Sequence, residues 1–380
     1  MRHKQRIMLA SNTNDEQDRT RGWSKLEQPM PFGARVGHRC CAIDDHRMIF
    51  VDGKDNVDAG TTRYSSSCAI YDAKANVGWE FLPNDVPALL SEYNVLAYGP
   101  YVYVIGGKDY NCDTTCISGK AVNTVHRLSL KTYEWTIMMP MGTARYGCVA
   151  VVYKGVYIYV FGGKNGRQTL CSSERYCIGT NTWEALSADN KVVKRFGHAF
   201  TVCSDIYIVG GGFGDRSLEV FDTVLQRWKI EEALMPDMPG SKRRKSPAAV
   251  LLKDRFLVVI GGWERRPVAN CLIYDCIMNQ WSSAPESVDM TIARVTHSIA
   301  VLGGTIFVAG GRGMDREPLS SMEFIDADDL LKHAVPLIRP LPIFCFNRIL
   351  ELGRANDDNK DGDGIHDDGF SSTVVLRENV

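Results

Sequence analysis

A glycine pair that ends a short apolar run recurs along this chain at nearly constant spacing. The pairs are Gly106-Gly107, Gly162-Gly163, Gly210-Gly211, Gly261-Gly262 and Gly310-Gly311, and Asp52-Gly53 is a degenerate first copy. Counted at the second glycine from Gly53 onward, the steps are 54, 56, 48, 51 and 49 residues. Self-similarity at a period near 50 residues is the signature of a repeat architecture. The six marks therefore predict six repeats.

Each repeat shows the same order of strand signals around its glycines. Two apolar runs joined by a short turn precede the pair, as in GCVAVVY-KG-VYIYVFGG, and this pattern is typical of a β-hairpin. A polar loop, a strand ending in an aromatic residue and Asp, and then a tryptophan follow the pair. The five tryptophans at this place are Trp79, Trp135, Trp183, Trp228 and Trp281. We expect the glycines to adopt left-handed conformations where sheets approach closely, and the tryptophans to fill the space between adjacent sheets.

The sixth repeat, which ends in MEFID at residue 326, is not followed by a tryptophan. The missing segment is found near the other end of the sequence, where Gly22-Trp23-Ser24-Lys25-Leu26 has the form of a fourth strand. We predict that residues 23–27 supply the outer strand of the sixth repeat. This pairing would close the repeats into a ring without an unpaired edge.

These signals divide the chain into four regions. Residues 21–327 form the predicted six-bladed propeller, with blades that start near residues 35, 91, 145, 195, 244 and 294. Residues 328–353 are predicted to form a C-terminal extension. Residues 1–20 and the acidic tail at 354–380 are polar and are predicted to be disordered.

The glycine pair, the aromatic-Asp strand end and the following tryptophan together resemble the kelch repeat, over residues 23–327. The resemblance implies an all-β, six-bladed kelch-type β-propeller with four-stranded antiparallel blades. It also implies a non-enzymatic scaffold or adaptor that binds proteins, and we expect the propeller to be monomeric. Adaptor members of the family carry an N-terminal BTB or F-box domain, and only about 20 residues precede Trp23. We therefore expect any link to a ligase to come from a separate chain.

Composition limits the classes of partner. The formal net charge of −1 gives no reason to expect nucleic acid, and no apolar run is long enough to cross a membrane. Several of the 12 cysteines lie in apolar strands, which favours reduced thiols and a cytoplasmic protein. The basic run at residues 242–245 leaves the nucleus open as an alternative, although it is also consistent with a surface loop.

The candidate partner-binding residues are basic or aromatic and share one face of the predicted propeller. Five arginines precede first strands, and three further residues lie in a loop between second and third strands. They are Arg35, Arg145, Arg195, Arg244, Arg294, Trp263, Arg265 and Arg266. Guanidinium groups bind carboxylates well, so we expect this face to bind a protein or an acidic peptide. The alternative is that each repeated arginine is structural and pairs inside the propeller.

Other residues suggest chemistry less directly. His38, His198 and His297 recur at one repeat position, where they are either core residues or ligands of a metal in the channel. Cys112 and Cys116 form a single pair, too few ligands for zinc. We expect no enzymatic activity and no cofactor. The alternative is an enzyme, or a propeller that binds a small molecule or metal at the mouth of its central channel.

One segment of the acidic tail resembles the calcium-binding repeat of thrombospondin type 3. Its candidate ligands are Asn359, Asp361, Asp363 and Asp367. Alternating oxygen ligands around a glycine turn suit Ca²⁺. The alternative is a solvated acidic tail without a bound ion.

Overall fold

The structure, a computed structural model, describes residues 22–51, 53–58, 61–75, 78–111, 119–187, 197–210, 218–229 and 244–334. The predictions for residues 1–20, Arg195, Gly211, the pair Cys112 and Cys116, and the calcium ligands of the tail lie outside these ranges. None of the helices in the described part of the chain has both the length and the apolar character needed to span a membrane.

The first three repeats each form a four-stranded antiparallel sheet and carry extra short strands. Strand β1 is Ser24–Lys25, and the first sheet and its added hairpin comprise β2 (Arg39–Ala42), β3 (Arg47–Val51), β4 (Lys54–Asp58), β5 (Thr61–Tyr64), β6 (Cys68–Asp72) and β7 (Trp79–Phe81). The second repeat comprises β8 (Leu90–Ser91), β9 (Asn94–Tyr98), β10 (Tyr101–Ile105), β11 (Lys108–Asp109), β12 (Lys120–Ala121), β13 (Val125–Ser129) and β14 (Trp135–Ile137). The third comprises β15 (Val149–Tyr153), β16 (Tyr157–Phe161), β17 (Lys164–Asn165), β18 (Gln168–Thr169), β19 (Ser173–Cys177) and β20 (Thr182–Ala185).

In the described residues, the last three repeats form four-stranded sheets without additional short strands. The fourth comprises β21 (His198–Val202), β22 (Asp205–Val209), β23 (Glu219–Asp222) and β24 (Arg227–Trp228). The fifth comprises β25 (Ala248–Leu252), β26 (Phe256–Ile260), β27 (Cys271–Asp275) and β28 (Gln280–Ser283), followed by a 3-10 helix at Glu286–Val288. The sixth comprises β29 (Ser298–Leu302), β30 (Thr305–Ala309) and β31 (Met322–Asp326), followed by helix α1 (Ala327–Ala334).

The first strands of the repeats contact one another in a closed cycle. Strands β2, β9, β15, β21, β25 and β29 each contact the next, and β29 also contacts β2. In the described residues six sheets have four strands, and within each sheet the strands follow the order of the chain, apart from the addition of β1 to the sixth. This is the arrangement of a β-propeller.

The N-terminal strand pairs with the last repeat. Ser24 lies opposite Phe324, Lys25 lies opposite Glu323, and the Leu26 amide donates to the Met322 carbonyl at 2.9 Å. The paired strand Ser24–Lys25 lies at the outer edge of the sixth sheet and inside the range 23–27 that the sequence suggests.

Each repeated tryptophan packs in a core cluster that two adjacent blades share. Trp183, for example, packs with Ile105 of blade two and with Tyr176 of its own blade. The indole N–H groups of Trp135, Trp183 and Trp23 donate to carbonyls of the preceding blade at 3.2, 2.8 and 2.9 Å. Because Trp23 repeats the contact that Trp135 and Trp183 make, the N-terminal segment takes the place of a fourth strand in packing as well as in pairing.

The glycine pairs have the conformation that the sequence predicts. Gly107 has a φ of +113°, and a Cβ there would lie 2.8 Å from the Ser91 carbonyl oxygen. Gly163 has a φ of +90° and is equally close to the Tyr146 carbonyl. A side chain at these positions would be strained in the backbone and would collide with the start of the same blade.

Helix α1 packs against the propeller rather than beginning a separate extension. Leu330 is fully buried and, with Leu331, belongs to the apolar cluster between blades five and six. The first residues of the predicted 328–353 extension are thus part of the propeller core. Residues 335–353 lie outside the described ranges.

Candidate functional site

The entrances to the first strands of blades one, two, three, five and six lie in the described ranges, and we refer to the face that they share as the mouth. Gly37, Glu92, Gly147, Ser246 and Thr296 all have positive φ values just before these strands, between 46° and 72°. The Gly147 amide donates to the Glu92 carbonyl at 2.7 Å, and the Thr296 amide donates to the Ser246 carbonyl at 3.4 Å. These hydrogen bonds join neighbouring blades, so the left-handed backbone connects the blades at the mouth.

Three of the left-handed residues are not glycines. Glu92, Ser246 and Thr296 adopt this conformation although each such residue costs roughly 1–3 kcal/mol, and Thr296 is also β-branched. All three line one cavity of about 340 Å³ at the mouth. Strained residues cluster at functional sites, so the cavity is a candidate site.

Three of the arginines assigned to partner binding are buried beneath this face. Arg294 has no exposed surface, donates to the Gly310 and Ser321 carbonyls at 3.1 and 3.0 Å, and pairs with Glu323. Glu323 in turn accepts from the Thr291 and Ile292 amides. The arginine thereby ties together three segments of blade six.

Arg145 repeats this arrangement in blade three, and Arg244 varies it in blade five. Arg145 pairs with Glu174 at 2.6 Å, whereas Arg244 pairs with Glu264 at 3.0 Å and donates to the Asn270 side chain at 2.7 Å. All three arginines have side chains with 0% exposure. The assignment of Arg145, Arg244 and Arg294 to partner contact is therefore wrong, and the structural alternative applies.

The remaining candidates of this set differ in position. Arg35 is half-buried, and its amide donates to the Leu319 carbonyl at 3.3 Å. Trp263 is half-buried, and Arg265 and Arg266 are exposed in the same loop. These three loop residues stay available for contact with a partner.

The three repeated histidines do not form a metal site. His38 and His297 pack on Gly310 and Gly261, where an added Cβ would lie 2.5 and 2.8 Å from the imidazole. His198 lies in β21 opposite Val209, so it is one position further along its strand than His38 and His297 are in their blades. Its Nε2 atom lies 3.2 Å from the Pro247 carbonyl oxygen. No group of three or more His, Cys, Asp or Glu side chains that could hold a metal occurs in the described part of the chain.

The surroundings of these histidines keep them neutral. Burial, with the charge of Arg39, lowers the pKa of His38 to about 3 and that of His198 to about 4. Burial and the charge of Arg294 hold the pKa of His297 well below its ordinary value.

Stability is therefore expected to fall as the pH is lowered from 6.5. In the unfolded chain His38 takes up a proton near its ordinary pKa of about 6.5, but in the fold its pKa is about 3. Between these values the unfolded state binds one more proton, so the free energy of unfolding falls by about 1.4 kcal/mol per pH unit. His38→Asn should reduce this slope by about that amount in urea titrations between pH 6.5 and 4. Equal slopes for the variant and the wild type would contradict it.

Two arginines follow Trp263 closely in the chain, and two more lie in the loop after β30, one of them over the Trp263 ring. The Arg316 guanidinium lies 5.7 Å from the Trp263 ring centroid, and Arg312 donates to the Arg316 carbonyl at 3.3 Å. Arg265 and Arg266 follow Trp263 in the chain. None of the four forms an ion pair with another residue of the described ranges. We refer to Trp263, Arg265, Arg266, Arg312 and Arg316 as the arginine patch.

Comparison with known proteins identifies the repeat. The family model described as "KLHDC2/KLHL20/DRC7 Kelch-repeats domain" matches residues 92–311, which is more than half of the chain. The chain belongs to the kelch-repeat family.

Curated relatives of this kelch-repeat chain are about a quarter identical to it over the aligned residues. Human Kelch-like protein 38 is 26% identical over 241 residues, covering 62% of this chain and 38% of the relative. Human Kelch-like protein 23 is 27% identical over 267 residues, covering 66% and 43%. Mouse Kelch-like protein 15 is 26% identical over 277 residues, covering 67% and 44%. The chain spans less than half the length of these relatives.

Sequence reasoning missed a charged residue that lines the mouth cavity. Arg39 is the first residue of β2 and lines the cavity together with Glu92 and Arg312. The available signal is the charge itself, because Arg39 occupies a place where most other blades have an apolar or small residue. Sequence reasoning concentrated on the arginines that recur rather than on Arg39, and recurrence is typical of residues that hold a repeat together.

Proposed function

We propose that this chain is a protein-binding module, a scaffold or adaptor, whose partner places an acidic segment on the mouth face. The arginine patch carries this proposal. Tryptophan and arginine are the residues most enriched at the energetic centres of interfaces, and an Arg guanidinium pairs with a carboxylate through two parallel hydrogen bonds. A half-buried Trp263 beside unpaired arginines has this composition.

The positive charge of the patch is local. The whole chain has a formal net charge of −1, so the surplus does not reflect a generally basic protein. Asp315 and Glu317 lie in the same loop as Arg316, and Asp315 accepts from the Glu317 amide at 3.0 Å. These two acids reduce the surplus of the four arginines without cancelling it. A partner with clustered carboxylates would complete the pairing, and its binding would weaken with salt.

Affinity capture with three baits tests the proposal. The baits are the wild type, the patch variant Arg265→Glu/Arg266→Glu/Arg316→Glu, and a control with Lys74, Lys131 and Lys154 changed to Glu. The control residues are exposed and lie in turns at the opposite ends of the strands. We expect a protein captured by the wild type and the control to be reduced at least tenfold with the patch variant. Equal capture by all three baits would refute the patch as the binding surface.

A further inference from the structure

Arg39 breaks a pattern of contacts between neighbouring blades. It lies at the first-strand position that pairs with the last residue of the second strand. The equivalent residues in blades two to six are Asn94, Val149, His198, Ala248 and Ser298. Three of them are polar, and each contacts a carbonyl of the next blade, at 2.8 Å for Asn94, 3.2 Å for His198 and 2.7 Å for Ser298. In blade one the longer Arg39 side chain lines the mouth cavity instead.

The Arg39 guanidinium has no hydrogen bond or ion pair to any residue in the described ranges. Burial lowers its pKa, and the neighbours that act on it are mainly Tyr93, Cys40 and Glu92. Glu92 is the only acid among these, and its Oε1 already pairs with Lys108 at 3.3 Å. Arg39 is half-buried in the cavity lining and has no partner there, so an anion from outside the chain would find a donor already in place.

The other residues that line the cavity indicate which class of anion suits it. Its volume of about 340 Å³ lies at the lower end of the roughly 300–1,000 Å³ found for small-molecule pockets. Val36, Pro247 and Val295 supply apolar wall, and the Ser246 side chain lines the cavity from a strained backbone position. An apolar wall suits a carbon skeleton, and a guanidinium suits a planar carboxylate.

We propose that the mouth cavity binds a small free organic carboxylate, anchored by Arg39. The site is separate from the arginine patch, apart from Arg312 at its edge, and the proposal does not rest on protein binding. The carboxylate oxygens accept from the Arg39 guanidinium, and the carbon skeleton lies against Val36, Pro247 and Val295.

Thermal unfolding of the purified full chain with succinate, butyrate or inorganic phosphate, at ionic strength matched with sodium chloride, tests this site. We expect a saturable rise in Tm with succinate or butyrate and at least tenfold weaker binding in Arg39→Ser. Serine is the residue of blade six at this position, so the variant should fold with a Tm no lower than that of the wild type without ligand. Arg39→Lys keeps the positive charge but loses the planar pair of guanidinium donors, so it should bind the organic acid with intermediate affinity.

Several outcomes would overturn the proposal. These are no saturable effect of either organic acid, equal binding by Arg39→Ser, and phosphate binding as tight as that of succinate. The patch variant should still bind the small organic acid but should no longer bind the protein partner. Arg39→Ser should still bind the protein partner but should no longer bind the small organic acid. If Arg39→Ser lost both, the carboxylate would belong to the partner and not to a free small acid.

Discussion

Replacing Arg294 with alanine is expected to lower the free energy of unfolding by about 3–5 kcal/mol, as for other broken buried ion pairs. The change would leave the Glu323 carboxylate, which has 0% exposure, without its cation. It would also leave the Gly310 and Ser321 carbonyls without a side-chain donor. Urea unfolding of the purified protein measures the loss.

Two variants make this prediction specific. Arg265→Ala removes an exposed arginine of the same face and should change stability by less than about 0.5 kcal/mol. The double replacement Arg294→Met/Glu323→Leu removes both charges and should recover most of the stability, because a buried pair can often be exchanged for apolar residues. A loss below about 1 kcal/mol for Arg294→Ala would show that the arginine does not hold blade six together.

The architecture follows from the sequence because the repeat encodes it several times. A glycine such as Gly107 is needed where backbone approaches within contact distance, and a tryptophan such as Trp183 is needed between two sheets, so both recur. The outer strand at Trp23 is recognisable by elimination, since one blade lacks its tryptophan.

The candidate site follows less well from the sequence, for a physical reason. Recurrence shows that Arg145 and Arg294 matter but not which way they point, and the acids that pair with them, Glu174 and Glu323, lie 29 residues further along the chain. A one-residue shift of register also separates His198 from His38, although both follow the same local pattern. Arg39 occurs once, and only the cyclic contact of first strands brings it together with Thr296 in one cavity.

Replacing Trp23 with alanine is the second change expected to have a large effect. Trp23 is only 7% exposed, packs with Val288 in the cluster between blades five and six, and donates to the Val288 carbonyl. Replacing a buried tryptophan by alanine costs about 3–5 kcal/mol. We expect a loss of that size in urea unfolding, with faster amide exchange in Met322–Asp326, the strand that pairs with β1.

Comparison with Trp183→Ala distinguishes the effect of lost packing in the core from the effect of lost pairing between β1 and β31. Trp183 packs between two blades in the same way, but its strand β20 follows β19 through a short turn and so stays next to its partner. Strands β1 and β31 are far apart in the chain, and only noncovalent contacts hold them together against the entropy of that long loop. Trp23→Ala should therefore raise exchange throughout β31, whereas Trp183→Ala should leave exchange in β19 close to that of the wild type. If both variants raised exchange equally in their neighbouring strands, the N-terminal strand would be no more than an ordinary fourth strand, and closure would depend on the inner strands alone.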